Sequence, residues 1–189
     1  MDADNGTCQS RVGEIVSRIE AKGARVSGAG RSTSIEELER QEATLVFPGF
    51  DEETAYALGA TLVRAGKAMA APVVVDIRTP DRTLFHAALP GSAPDNDHWA
   101  RRKSNLVLRR HCSSLLAGEK MRAKGDAPGA HLGLDPMDFA AHGGSFPVRV
   151  AGVGVVAAVT VSGLASEDYH AMIVDAMTDY LTEVRRSGG

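Results

Sequence analysis

Apolar positions along the chain follow two different periods. Ala55, Leu58, Leu62, Val63 and Met69 recur at helical intervals, the spacing that lines one face of a helix. Asp51 stands where such a helix needs its cap, and Pro72 ends it. The same period returns near the end in Met172, Ile173, Ala176, Met177, Tyr180 and Leu181, behind a start at Ser166, Glu167 and Asp168. Between these helices the pattern tightens. The β-branched run Val73-Val74-Val75-Asp76-Ile77 predicts a buried strand. The turn Thr79-Pro80-Asp81-Arg82 sends the chain back through a second arm at 83–89. A second hairpin is predicted from 146–150 and 153–161, turning at Ala151-Gly152.

Ser34 and Glu37 form a capping box that opens a helix through about Glu42. A short strand at 43–47 follows, closed by Pro48-Gly49. A long Arg-rich helix is predicted from Asp95 or Asp97 to about Ala123, then a polar, glycine-containing stretch over 125–133. Asp135-Pro136-Met137-Asp138 reads as the start of a compact helix that stops at His142-Gly143-Gly144. Residues 1–34 differ from the rest. Val12, Ile15, Val16 and Ile19 suggest an amphipathic helix, and the Gly/Ser-rich run at 28–34 suggests a linker. The expected organisation is therefore an extension and linker over 1–34 and one domain over 35–189. Strands paired by tight turns imply antiparallel hairpins rather than crossovers. The expected fold is α+β: a three-layer α/β/α sandwich with a five-stranded, mainly antiparallel sheet and helices on both faces.

Composition narrows the function classes. The 189 residues are 43% hydrophobic and 24% charged, with a net charge of −3, which is ordinary for a globular domain and offers no basic balance for nucleic acid. The first ten residues have no apolar run after a basic start, and the most apolar stretch, 148–161, is short and contains Arg149. A cytoplasmic protein with neither a nucleic-acid nor a membrane partner is expected. The two cysteines, Cys8 and Cys112, are far apart, which suits a reducing compartment and gives no thiolate metal site.

Candidate chemistry concentrates in two places. On the Arg-rich helix, at about 100° per residue, Arg102, Asn105, Arg109 and Ser113 fall within an arc of roughly 80°. Arg109 could clamp a carboxylate or phosphate, with Asn105 and Ser113 as neutral donors. The blander alternative is an arginine that ties the helix to an acidic residue of another subunit. The second place is His142-Gly143-Gly144-Ser145, where two glycines leave backbone N–H groups free to approach an anion. Its alternative is a helix stop before a strand. The six histidines form no HExxH or HxH pair, so no metal site is expected. Asp76 and His86 lie on opposing hairpin arms with their register undecided. Gly143-Gly144-Ser145 is not a nucleophile elbow, Cys112 on an apolar segment reads as inert, and no catalytic residue is identified.

Three stretches together resemble a known family: Glu42-Ala43-Thr44-Leu45-Val46-Phe47; Pro94-Asp95-Asn96-Asp97 with Trp99 and the Arg101-Arg102-Lys103-x-Asn105-x-x-x-Arg109 helix; and His142 through Val150. The chain is similar, over about 36–185, to the haem-degrading-domain family of GlcG-like, HbpS-like and PduO C-terminal proteins, in a branch of small cytosolic members. The resemblance implies a profilin-like α/β/α sandwich, homo-oligomers, and haem as a cofactor, with His142 as the motif histidine that could serve it.

Three functions compete. The favoured one is an oligomeric, non-enzymatic protein that binds a small anionic molecule beside the Arg-rich helix and the His-Gly-Gly-Ser loop. The second is a haem-binding or haem-degrading protein. The third is a scaffold whose Arg-rich helix is an intersubunit seam.

Overall fold

The computed structural model describes residues 33–163 and 165–187, so the amphipathic segment and most of the linker expected at the N-terminus lie outside the described residues. The elements are α1 (Ile35–Thr44), β1 (Val46–Phe47), α2 (Glu52–Ala68), β2 (Val74–Arg78), β3 (Thr83–Ala88), α3 (Pro94–Arg110), α4 (Ser114–Arg122), a 3-10 turn (Ala130–Leu132), β4 (Ser145–Val150), β5 (Gly154–Ser162) and α5 (Ser166–Ser187). The five strands form one sheet in the order β1-β4-β5-β2-β3. β1 runs parallel to β4 and every other pairing is antiparallel. The fold is the expected α+β arrangement.

The two faces of the sheet are chemically unlike. On one, Val75, Ile77, Phe146, Val148, Val159 and Val161 join Ala55, Leu58 and Leu62 of α2 and Met172, Ile173 and Met177 of α5 in the main core. The other face carries, beside Val74, the polar or small side chains Asp76, Ser145, Thr160 and Ser162, all buried. α3 lies against that face through β5, β4 and β2. Asp76, Ser145 and Thr160 each have a partner. The Ser145 and Thr160 hydroxyls are 2.7 Å apart, the Ser145 N–H donates to Ser114 Oγ at 3.1 Å, and Arg78 holds both oxygens of Asp76 at 2.6 and 2.7 Å. Small side chains let α3 approach closely, and its outer flank packs Leu106 against Ala117, Met121, Leu134 and Ala141.

Several sequence expectations need correction. The Arg-rich segment is two helices, because His111 turns left-handed (φ 55°, ψ 31°) and closes α3. Ser113 then caps α4 by accepting from the Leu116 N–H at 3.2 Å. Its own N–H donates to Glu42 Oε1 at 2.7 Å, so a tertiary carboxylate stabilises the break. Ser113 is consequently not on the same helical arc as Arg102, Asn105 and Arg109. At the other end, Ala93 rather than an aspartate precedes α3, with Pro94 at its first position and Asn96 Oδ1 accepting from the Ala93 N–H at 2.7 Å. α1 continues to Thr44 and leaves only a two-residue β1. Asp135 nucleates a single turn, accepting from Met137 through its side chain and from Phe139 through its carbonyl, not a helix. The undecided hairpin register places Asp76 directly opposite His86.

Candidate functional site

Lys103 is the cation that α3 buries. Only 3% of it is exposed, and its ammonium donates to the Val161 carbonyl at 2.8 Å and to the Gly143 carbonyl at 3.4 Å. Neither partner is charged, and Lys103 forms no ion pair with a described carboxylate. Desolvation without a counter-ion disfavours the charged form, and burial lowers the amine pKa from 10.5 to about 7.

The His-Gly-Gly-Ser loop is shaped around that amine. Gly144 has φ +108°, and a Cβ there would stand 2.8 Å from Lys103 Nζ and 2.6 Å from the Val161 carbonyl. The Gly144 carbonyl accepts from the Val161 N–H at 2.8 Å, so the loop and the end of β5 are tied together where Lys103 arrives. A larger residue would collide with both.

Beside this junction lies a cavity of about 300 Å³, lined by residues of the α3 start (Asp95, Asn96, Trp99), Lys103, His142, Gly143, the β5 end (Ser162, Gly163) and Tyr169. Trp99 organises one wall. Its indole N–H donates to Asp95 at 3.1 Å, the His142 ring meets it edge-on at 5.1 Å, and the Arg102 guanidinium stacks over it at 4.4 Å. Arg102 Nε is buried with no hydrogen-bond partner among the described residues. Burial lowers the His142 pKa, and the nearby cations Arg122, Lys103 and Arg102 lower it further. Opposite, the Tyr169 ring is 5.3 Å from Lys103 Nζ. Tyr169 is 2% exposed, its hydroxyl has no hydrogen-bond partner among the described residues, and burial pushes its pKa upward.

The sequence-predicted site residues divide accordingly. His142 and Gly143 line the cavity, Gly144 sits behind them against Lys103, and Arg102 packs on the wall from outside. The rest serve the fold. Asn105 donates to the Asp138 carbonyl at 3.0 Å, the exposed Arg109 lies over the Phe139 ring at 5.4 Å, Ser113 caps α4, and Ser145 is buried against Thr160. Trp99, Lys103 and Tyr169 were missed. A usable signal existed for Lys103: with Ala100 and Val107 it falls at i, i+3, i+7 on the helix's apolar stripe, and all three are buried. Tyr169 lies far away in sequence, and nothing local marks it.

Elsewhere, His86 stands 3.5 Å from Asp76 and 3.3 Å from Asp97, bridging β2, β3 and α3. Among the described residues no cluster of three His, Cys, Asp or Glu side chains could hold a metal ion. Nor is any helix among them long and apolar enough to cross a membrane. Cys112 falls in the break after α3, where burial first, then Glu42, pushes its thiol up to about 11. That environment suits the expected inertness.

The cavity is small and polar for a haem. A volume of about 300 Å³ is the lower end for ligand pockets, and macrocycles need broad apolar faces. Here Trp99 and Tyr169 are the aromatic surfaces, and Asp95, Asn96, Lys103 and Ser162 interrupt them. The cavity as formed does not fit an enclosed porphyrin.

Comparison with known proteins places the chain clearly. Residues 50–178 match the family model described as haem degrading protein HbpS-like. A UPF0303 protein of Streptomyces coelicolor is 49% identical over 158 residues, covering 84% of this chain and all of that one. One of Acidobacterium capsulatum is 44% identical over 138 residues, covering 73% and 84%. Among solved structures, the Ybr137w protein is 33% identical with a TM-score of 0.74, covering 82% of this chain and 91% of its own. A structure described as a PduOC:Heme complex shares the fold at 16% identity and a TM-score of 0.59, covering 69% and 94%. By sequence and by fold, the chain belongs to the HbpS-like family of haem-degrading-domain proteins.

Proposed function

We propose that this protein binds a small anionic molecule in the cavity between α3, the 142–144 loop and the β5–α5 junction. The observation that carries the reading is Lys103: a buried amine beside a polar cavity, with main-chain carbonyls as its only hydrogen-bond partners among the described residues. Leaving such a cation unanswered is costly. An anion in the cavity returns the amine to its charged state and gains a charge-assisted hydrogen bond. The unpartnered Nε–H of Arg102 and the cations around His142 favour the same sign of charge. His142 and Gly143 keep the ligand-facing roles expected of them, Arg102 adds its charge from behind the Trp99 wall, and Gly144 is the spacer that admits Lys103.

The test is a thermal-shift panel of acetate, lactate, pyruvate and inorganic phosphate against wild type and Lys103→Met. A member of the panel present at about 100 times its Kd stabilises by about 2.7 kcal/mol, and that shift disappears in the variant. If no panel member shifts wild type, or if the variant shifts equally, the cavity is not the site.

The family description and the haem complex of the PduO-type relative bring haem as a second ligand. It would have to lie across the cavity mouth, with the exposed His142 imidazole as the group to hold it. Haemin producing a Soret change that is lost in His142→Ala supports this reading, and an unchanged spectrum removes it. Homo-oligomerisation belongs to the same proposal. It is supported by β3, an edge strand of the described sheet, beside the exposed Tyr56 and its edge-on contact with Phe85 at 6.0 Å. A monomer in analytical ultracentrifugation at micromolar concentration overturns it.

A further inference from the structure

We propose that the Lys103 amine captures a small 2-oxo acid as an imine. This rests on the cavity being a ligand site and adds the class of ligand and the bond it forms. The first argument is a count of hydrogens. A neutral amine has two N–H groups, and Lys103 has two acceptors, the carbonyls of Val161 and Gly143. The nitrogen lone pair is then left without a protein partner. A protonated amine would instead carry a third N–H facing no protein acceptor, only the Tyr169 ring. The lowered amine pKa agrees with this geometry.

The second argument is confinement. Gly144 is the residue type that leaves room for the amine, since a Cβ would come within 2.8 Å of Nζ. The amine is thus held at the cavity wall by close backbone contacts on one side and an aromatic ring on the other. The third argument concerns the ligand's other end. Arg102 is stacked on the Trp99 wall with an unpartnered Nε–H, and its charge, with that of Arg122, already reaches His142. A carboxylate beside the reacting carbonyl answers that field. A three-carbon oxo acid suits about 300 Å³ better than a drug-sized ligand.

The chemistry balances without a further reagent. The Lys103 lone pair attacks the ketone carbon and forms a C–N bond, while the carbonyl π electrons move to oxygen. A proton passes from nitrogen to that oxygen to give a carbinolamine. A second proton transfer in the same sense lets water depart as the C=N bond forms, so amine and ketone yield imine and water.

The experiment uses the full chain incubated with pyruvate and sodium cyanoborohydride at neutral pH, followed by intact mass and peptide mapping. Lactate, which carries no ketone, is titrated in parallel. The expected result is one reduced pyruvyl adduct per chain, mapped to Lys103, with labelling at least about tenfold above any other lysine, and with excess lactate slowing it. Mapping on the wild-type chain removes any dependence on a variant that fails to fold. Saturable lactate or pyruvate binding without an adduct overturns the imine and leaves the binding site standing. No binding and no adduct overturns both. Adducts scattered over several lysines overturn the imine.

Discussion

Replacing Lys103 with methionine should change the pH dependence of stability in a way that can be calculated beforehand. The folded amine titrates near 7 rather than 10.5 because burial disfavours its charged form. At 1.36 kcal/mol per pH unit, the full difference is worth about 5 kcal/mol. The sign follows from proton counts. Between these two values the unfolded chain binds more protons at this site than the folded chain, so stability rises with pH. The penalty is full below the folded value and vanishes above the unfolded one. Over the accessible window from pH 7 to 9 the gain is about 2 kcal/mol, because half the amines are already neutral at the start. Methionine keeps most of the aliphatic stem and has nothing to titrate. Denaturant unfolding of both proteins at several pH values measures the difference directly, since every other titrating group is shared. Wild type should gain about 2 kcal/mol relative to the variant across that window. Parallel profiles would refute the claim that the amine is desolvated and unpaired.

Gly144→Ala places a methyl 2.6 Å from the Val161 carbonyl and 2.8 Å from Lys103 Nζ at φ +108°. A loss of about 2–4 kcal/mol by chemical denaturation is expected, together with loss of ligand-induced thermal shifts; an unaffected midpoint contradicts the close packing. His170 is 3% exposed and bonded to Gln41 at 2.8 Å. Burial lowers its pKa to about 4, so its NMR titration should be centred near there rather than 6.5. The unfolded chain binds the extra proton between those values, and His170 therefore lowers stability as pH falls through that window. Cys112, with its thiol pushed up to about 11, should react with a neutral-pH thiol reagent more than about tenfold slower than a free cysteine; full-rate labelling in the folded protein contradicts its burial.

The sheet was legible because its signals are local. Each hairpin carries a β-branched run, a turn and a return arm, and the helices that cover the main core show their apolar stripes in order. The failures share a different cause. The break at His111 depends on Glu42, which is distant in sequence but accepts the Ser113 N–H. Local propensity over the Arg-rich segment cannot register that carboxylate. The candidate site was half legible for the same reason. His142 and the two glycines stand out as a loop, but Lys103 looks like one more cation among Arg101, Arg102, Arg109 and Arg110. Its burial is set by Val161 and Tyr169, on other elements. The conspicuous arginines stay outside: Arg101 pairs with Asp138 at 2.9 Å, and Arg109 is exposed. In this fold, the buried amine sits where a cation interrupts the apolar stripe, not where cations are most numerous.

Isothermal titration calorimetry with lactate and pyruvate near pH 8, in two buffers of different ionisation enthalpy, tests the binding site most directly. An anion that restores the charge on Lys103 must bring a proton with it, so lactate binding should be saturable at one site per chain with uptake of nearly one proton, and Lys103→Met should not bind it. A pyruvate imine, by contrast, forms from the neutral amine without that uptake. Absence of saturable heat for both acids, or lactate binding to wild type with no proton taken up, contradicts a site built on this amine.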